Sequence, residues 1–346
     1  MAITSYERLD TTNDITTTRT LLHESIPLTG TIVSGTYGTF PDDNNIKNYS
    51  HEQFQSVYDY PFLSSSANHI YDLSIGFDES SAMSGSVSIV QESKKINMYN
   101  QMSQVLLGYT GSANDVRKFE LDTTLDGSGI MRESLFINFS RLITKDQIKK
   151  GTVTVTLGTG SWDAPFALLK TLTDASASAT EGTANTLGGD YGVLYDSGNT
   201  ARGVVFYQAG LIALSTSSFD TMTDFFSNSA GTSSVLDTFV SSSITASADA
   251  FRHRVQNISF NNTTEINSSI YFCRVPHNKY NHSANPTYLS ASTIRVKSVN
   301  TDQPISYITT IGLYSSDNEL LAVAKVSEPL RKDPTNELTL RVRLDY

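Results

Sequence analysis

Cysteine is nearly absent. Cys273 is the only one in 346 residues, so no internal disulfide can form and packing and hydrogen bonds must hold the fold, as suits assembly in a reducing cytoplasm. Charge is also scarce, at 17% of residues, and it is unbalanced, with a formal net charge of −10. Tight binding to a phosphate backbone needs clustered Lys and Arg, and no basic stripe is present. Lys149–Lys150 and Arg252 with Arg254 are expected to be solvated surface or ion-pair partners. The first 18 residues lack the apolar core of a secretory signal, and no run approaches the roughly 18–20 apolar residues of a membrane span. The expectation is a soluble chain with no membrane or nucleic-acid partner and no recognisable export leader.

Catalytic signatures are missing too. There is no G-x-S-x-G elbow, P-loop, H-E-x-x-H or dinucleotide fingerprint. Gly158–Thr159–Gly160–Ser161 has neither the lysine nor the following helix of a phosphate loop and reads as a turn. Cys273, His277 and His282 lie close in sequence, but a fourth zinc ligand and the usual paired spacing are lacking. Asp122 to Asp126, before Gly127, has too few oxygens in register for a calcium loop and reads as a solvated turn. No catalytic, cofactor-binding or metal-binding residue is therefore expected, and the chain is expected not to be an enzyme. The Asn-X-Ser/Thr triplets at Asn257, Asn261, Asn262, Asn267 and Asn281 are what an Asn-, Ser- and Thr-rich chain produces by chance.

What the chain does have is hydroxyls and aromatics. Ser and Thr make up roughly a quarter of it, and 17 Tyr with 16 Phe supply bulk that packs on a pleated surface. The fold class expected is mainly β with a few short helices, in a multi-lobed antiparallel sandwich or barrel architecture with an extended N-terminal arm. Residues 1–60, with short apolar patches at Leu21–Leu22 and Ile32–Val33 and a turn cluster at Pro41 to Asn45, read as that arm. Residues 61–245 read as a mixed β-rich domain. Leu73, Ile75 and Phe77 alternate as in a half-buried strand. Met98, Met102, Val105 and Leu106 then follow helical spacing within 93–107, with Gly108 as the stop.

Leu135 to Phe139 is a further strand, and Thr144 with Gln147 has the form of a capping box opening one helical turn. GTVTVTL at Gly151 to Leu157 alternates cleanly, and the lone Trp162 after it is expected to anchor a core. A Ser/Ala loop covers 174–185. Tyr191 to Tyr195 and Arg202 to Leu214 form a meander around the Asp196–Asn199 turn. The Ser/Thr-rich passage 215–250, with scattered Phe, leaves short helices and loop both open and is the candidate linker or inserted subdomain. Residues 246–346 read as a C-terminal antiparallel sandwich. Its strands lie near Ile258 and Phe260, at Ile266 to Val275, at Thr293 to Lys297, at Ile305 to Tyr314 with Glu319 to Val326, and at Leu338 to Leu344.

The stretch SYITTIGLYSSDNELLAVAKVSEPLRKD, at 306–333, resembles a hairpin of structural proteins of bacterial viruses, tail-fibre attachment regions included. KINMYNQMSQVLLGY (95–109), INFSRLITKDQIKKGT (137–152) and NISFNNTTEINSSIYFCR (257–274) resemble segments of virion structural proteins of marine contractile-tailed phages that infect cyanobacteria. The resemblance implies a non-enzymatic subunit of the tail, baseplate or neck, located in the virion and assembled in the host cytoplasm. Its implied partners are other virion proteins and copies of itself, in a symmetric homo-oligomer. It carries over no catalytic residue. The alternative is a host-adhesion or glycan-binding tail protein using Tyr271, Tyr280 and Tyr288.

Overall fold

The computed structural model describes residues 6–28, 44–85, 89–110, 115–175, 186–219, 222–228, 231–283, 286–291, 293–295, 299 and 301–346. The elements in chain order begin with strands β1 (Ile15–Pro27), β2 (Ile46–Asn48), β3 (Gln55–Tyr58) and β4 (His69–Phe77), then helix α1 (Ile89–Leu106). There follow β5 (Glu133–Phe139), α2 (Arg141–Thr144), β6 (Gln147–Ile148), β7 (Thr154–Gly158), β8 (Leu169–Thr173), β9 (Tyr191–Tyr195), β10 (Ala201–Phe206) and β11 (Leu211–Ser215). The chain continues with β12 (Phe226–Asn228), β13 (Gly231–Ser233), α3 (Val235–Ser241), α4 (Ile244–Arg254), β14 (Val255–Val275), β15 (Leu289–Ser290), β16 (Thr293–Ile294), β17 (Ser306–Tyr314), β18 (Leu320–Lys332) and β19 (Leu338–Asp345).

The fold is mainly β with short helices, built on one large antiparallel sheet. Two compact units divide the chain, one of residues 22–264 and one of 1–21 with 265–346. The limits fall inside β1 and β14, whereas the sequence reading set them at 60 and 245. Of the expected arm, 1–5 and 29–43 lie outside the described residues. Ile46 to Tyr58 are not arm at all: β2 and β3 pair into the sheet and Val57 is fully buried. Apolar residues there are few, but Ile46 pairs with Val57, and Val57 and Tyr58 pair with Tyr71 and His69 of β4.

In the larger unit the sheet runs β14-β7-β8-β9-β10-β11-β5-β4-β3-β2. β4 is covered on both faces, which is why it is buried almost throughout rather than on alternate residues. Tyr71, Leu73, Ile75 and Phe77 join Ala248 and Phe251 of α4 in the larger core cluster. On the opposite face Gly76 admits α1: a Cβ there would sit 2.8 Å from both the Lys95 carbonyl oxygen and the Tyr99 nitrogen. A second cluster forms between α1 and the meander, from Met98, Tyr99, Leu106, Phe119, Phe136, Tyr191, Val193, Val204 and Phe206.

The helix and its stop lie where expected, Gly108 adopting φ +79 and donating its N–H to the Ser103 and Gln104 carbonyls. Val105, however, is 71% exposed. The packed stripe centres on Lys95, Tyr99 and Leu106, roughly 100° around the helix from Val105 at about 100° per residue. The Thr144–Gln147 capping box is also overturned. α2 precedes Lys145, which turns left-handed at φ +57, and Gln147–Ile148 is strand β6, paired with Thr263 and Asn262 of β14.

The described residues of 215–250 contribute to the core rather than forming a linker. Phe219, Phe225 and Phe239 are fully buried in the larger cluster, and Ser234 and Ser243 cap α3 and α4 by accepting the N–H groups of Asp237 and Ala246. Because α4 extends to Arg254, the first residues of the expected C-terminal sandwich are helical.

Lys95 is fully buried and donates to the carbonyls of Phe239 and Ser242, at the end of α3. Burial pulls its pKa down from 10.5 to about 8. Between those values the unfolded chain binds the extra proton, so stability rises with pH across pH 8–10.5. Wild type should gain about 2 kcal/mol more than Lys95→Met between pH 8 and 10, measured by urea denaturation; parallel pH profiles would refute the assignment. Gly76→Ala forces α1 off the sheet and should cost about 1–3 kcal/mol in the same assay; an unchanged midpoint would show that the close approach carries no weight.

Candidate interaction surface

The smaller unit, by contrast, holds hardly any core. Among the described residues its buried apolar side chains are Val275 and Val342 alone. Both lie on the β14–β19 ladder, which pairs Ser268 with Asp345 through to Val275 with Leu338. The alternation expected for β19 is present: Thr339, Arg341, Arg343 and Asp345 are exposed while Leu338, Leu340 and Leu344 are half-buried.

β17 and β18 make a two-stranded sheet of their own. The Ser315–Asn318 turn closes it as the sequence indicated: Asn318 is at φ +63, and the Ser315 hydroxyl accepts the N–H groups of Asp317 and Glu319. Ile308 pairs with Leu330 and Thr310 with Lys325, so Val326 to Pro329 bulge out opposite Thr309. Such a bulge accommodates Pro329, which has no N–H to give a ladder.

The open ends of the two strands are anchored by polar contacts. Ser306 pairs with Lys332 and donates its hydroxyl to the Tyr280 carbonyl. Lys332 is fully buried, its Nζ reaching the His277 carbonyl at 3.2 Å, Asn281 Oδ1 at 2.6 Å and the Asp333 carbonyl at 2.8 Å. Toward the turn, Tyr314, Leu320, Leu321 and Val323 are exposed, Leu321 to 68%. The Tyr314 ring lies over Gly312 and meets Tyr6 edge-on at 5.1 Å. The result is a polar base carrying an apolar, two-edged tip.

The residues weighed for zinc do not converge. Cys273 is half-buried in β14 opposite Leu340, and burial with the Asp14 carboxylate nearby pushes its thiol pKa up. His277 Nδ1 is instead 2.9 Å from Glu337, whose pKa that contact lowers, and His282 is exposed. Tyr271, Tyr280 and Tyr288 are each half-buried, so none is an open aromatic platform.

The turn expected at Gly158 to Ser161 lies just downstream: Gly158 ends β7, the Thr159 and Gly160 N–H groups donate across to the Leu168 and Pro165 carbonyls, and the Ala164 N–H closes the turn on the Ser161 carbonyl. A Cβ on Gly160 would meet the Ala164 carbonyl at 2.3 Å. Trp162 packs on the larger core as expected, 4.2 Å from the His253 ring and 5.6 Å from the Arg254 guanidinium. Among the described residues one group of His, Cys, Asp or Glu brings three side chains within ligand distance of each other, and it is Glu120, Asp122 and Asp126.

No known protein family, curated protein or solved structure matches this chain. Lys150 is paired with Asp190 at 2.8 Å, in keeping with a surface cation. Arg252 and Arg254 are not solvated; both are fully buried. Arg252 meets Asp249 at 3.4 Å, and Arg254 donates to the carbonyls of Gly160, Ser161, Asp224 and Phe225. The ion-pair alternative holds for Arg252, which meets Asp249 three residues back, whereas the burial of Arg254 was hidden because its carbonyl partners come from segments remote in the chain. A lysine at 254 could not span four carbonyls with its single ammonium. Arg254→Lys should therefore cost about 2–3 kcal/mol in chemical denaturation; a loss under about 0.5 kcal/mol would mean those carbonyls find water instead.

Proposed function

We propose that this chain is a non-enzymatic structural subunit of a tailed bacteriophage particle, placed in the tail, baseplate or neck and acting through contacts with copies of itself and neighbouring virion proteins. The observation that carries the reading is the near absence of a core in the smaller unit, whose buried apolar side chains among the described residues are Val275 and Val342. Ordering a residue's backbone costs about 1–2 kcal/mol, which apolar burial must offset. A segment so poor in burial reaches its final order when a neighbour supplies the missing area.

The hairpin of β17 and β18 offers that area. An isolated two-stranded sheet is at best marginal in water, and this one exposes Tyr307, Tyr314, Leu320, Leu321 and Val323 beside two unpaired edges. The same residues lie within the stretch that resembles phage hairpins, so chemistry and resemblance agree on one surface. The occupant that fits best is a second copy of the chain, since particle components repeat by symmetry.

Leu321→Asp combined with Val323→Asp should leave the melting temperature of the isolated chain within a degree or two, because both side chains are already exposed. It should also abolish self-association in sedimentation velocity and incorporation into particles. Cryo-EM density of the particle in which this chain repeats, with β17 and β18 seated on a neighbour, would sustain the reading. Density in which the hairpin stands free in every copy would overturn it.

A further inference from the structure

Lys332 ends β18 with its side chain fully buried, and its Nζ donates to three oxygens: Asn281 Oδ1 at 2.6 Å, the Asp333 carbonyl at 2.8 Å and the His277 carbonyl at 3.2 Å. Among the described residues no Asp or Glu side chain forms an ion pair with it. An ammonium shut away from water without a counter-charge is costly, because neutral oxygens replace only part of its hydration. Lys95, also fully buried, is held by backbone carbonyls of Phe239 and Ser242. Lys332 differs in one respect: an oxygen it meets belongs to a side-chain amide, whose nitrogen can leave.

That amide is held at both ends. Asn281 Oδ1 accepts from Lys332, while Asn281 Nδ2 donates at 2.7 Å to the His277 carbonyl, the same oxygen that Lys332 Nζ reaches. The partners fix which end is which, since an ammonium must meet the amide oxygen and a carbonyl must meet the amide nitrogen. With a C=O bond of about 1.23 Å, the 2.6 Å contact brings Asn281 Cγ within about 3.8 Å of Nζ, close to the roughly 3–3.5 Å from which bonds form. Asn281 is half-buried, so the nitrogen it would release has a way out to water. The unit that holds the pair also lacks other ties. Its buried apolar side chains among the described residues are Val275 and Val342, and Cys273 has no second cysteine to join. Small units short of core are stabilised by covalent links, and one here would tie the end of β18 to the loop after β14, 51 positions earlier.

We propose that Lys332 and Asn281 join in an intramolecular isopeptide bond. The Lys332 nitrogen, after giving up a proton, attacks Asn281 Cγ; the Nζ–Cγ bond forms, the tetrahedral intermediate collapses and the Cγ–Nδ2 bond breaks. The two protons that Nζ loses depart with the leaving nitrogen as ammonium, so atoms and charge balance and no oxidant or reductant enters. Glu337 is the carboxylate at hand to carry a proton: His277 Nδ1 lies 2.9 Å from it, and that contact, with the Lys332 charge adding to it, keeps it ionised. One amide replaces another, and the gain is that a buried ammonium becomes a neutral group.

The test is the intact mass of the purified full chain under denaturing conditions, followed by tandem mass spectrometry of its tryptic peptides. After allowing for removal of Met1, wild type should be lighter than its sequence by one ammonia. Its digest should contain a branched peptide in which the Asn281 segment is joined to Lys332, where trypsin then no longer cuts. Lys332→Arg, which keeps the cation but has no amine to attack with, and Asn281→Ala should each show the full mass of their sequences and no branched peptide. The wild-type mass decides the matter even where a variant fails to fold. Wild type at its full sequence mass, or an ammonia lost without the branched peptide, would overturn the proposal.

Discussion

The contact on which the larger unit depends is the approach of α1 to the backbone of β4 at Gly76, the one residue of that strand with no side chain to hold the helix off. From that position the helix ties three remote segments together with side chains that emerge on its inner face. Lys95 reaches the carbonyls ending α3. The Tyr99 hydroxyl donates to the Met131 carbonyl at 2.8 Å and accepts the Phe119 N–H at 3.1 Å, closing both ends of the acidic loop. Ser103 donates to the Arg117 carbonyl. Each bond satisfies a backbone group that the packed helix would otherwise shut away from water.

The other face of the sheet follows the same logic with different residues. Arg254, at the end of α4, gathers the carbonyls of Gly160, Ser161, Asp224 and Phe225, and Asp174 accepts the N–H groups of Gly151 and Val153 together with the Tyr207 hydroxyl. Burial raises the Asp174 pKa, and those three donors hold it back. Irregular backbone is therefore pinned to regular strands by buried polar groups, each with several partners. The smaller unit follows the opposite rule, with polar anchors at the base of a hairpin and apolar residues left outside. The two units thus differ in kind, one with a closed core and the other with an exposed apolar surface.

Much of the fold was legible because strands announce themselves locally. The alternation in β5, β7, β9 and β19, the Asn199 and Asn318 turns, and the Gly108 stop all rest on interactions within a few residues. What stayed hidden depended on distant partners. α3 is only seven residues long and α4 is rich in alanine, so their helical period is faint, and their caps mean little until Phe239 and Phe251 are known to be buried. Arg254 looks like surface because charge suggests water, and only the folded chain shows which carbonyls claim it. Val105 misled because a helical period reports relative positions on a face, not where the sheet lies. The acidic loop was half legible: Asp122 and Asp126 were visible at their spacing, while Glu120 joins them through the loop's antiparallel bridge.

The contrast between a buried central sheet and an exposed two-stranded hairpin is tested most directly by hydrogen exchange on the isolated chain, read segment by segment. Amides of β4, β5 and β11, covered by both clusters, should exchange only through global unfolding, while those of β17 and β18 should exchange orders of magnitude faster. Equal protection of the hairpin and the central strands in the isolated chain would contradict the account, because the hairpin would then need no partner to be stable.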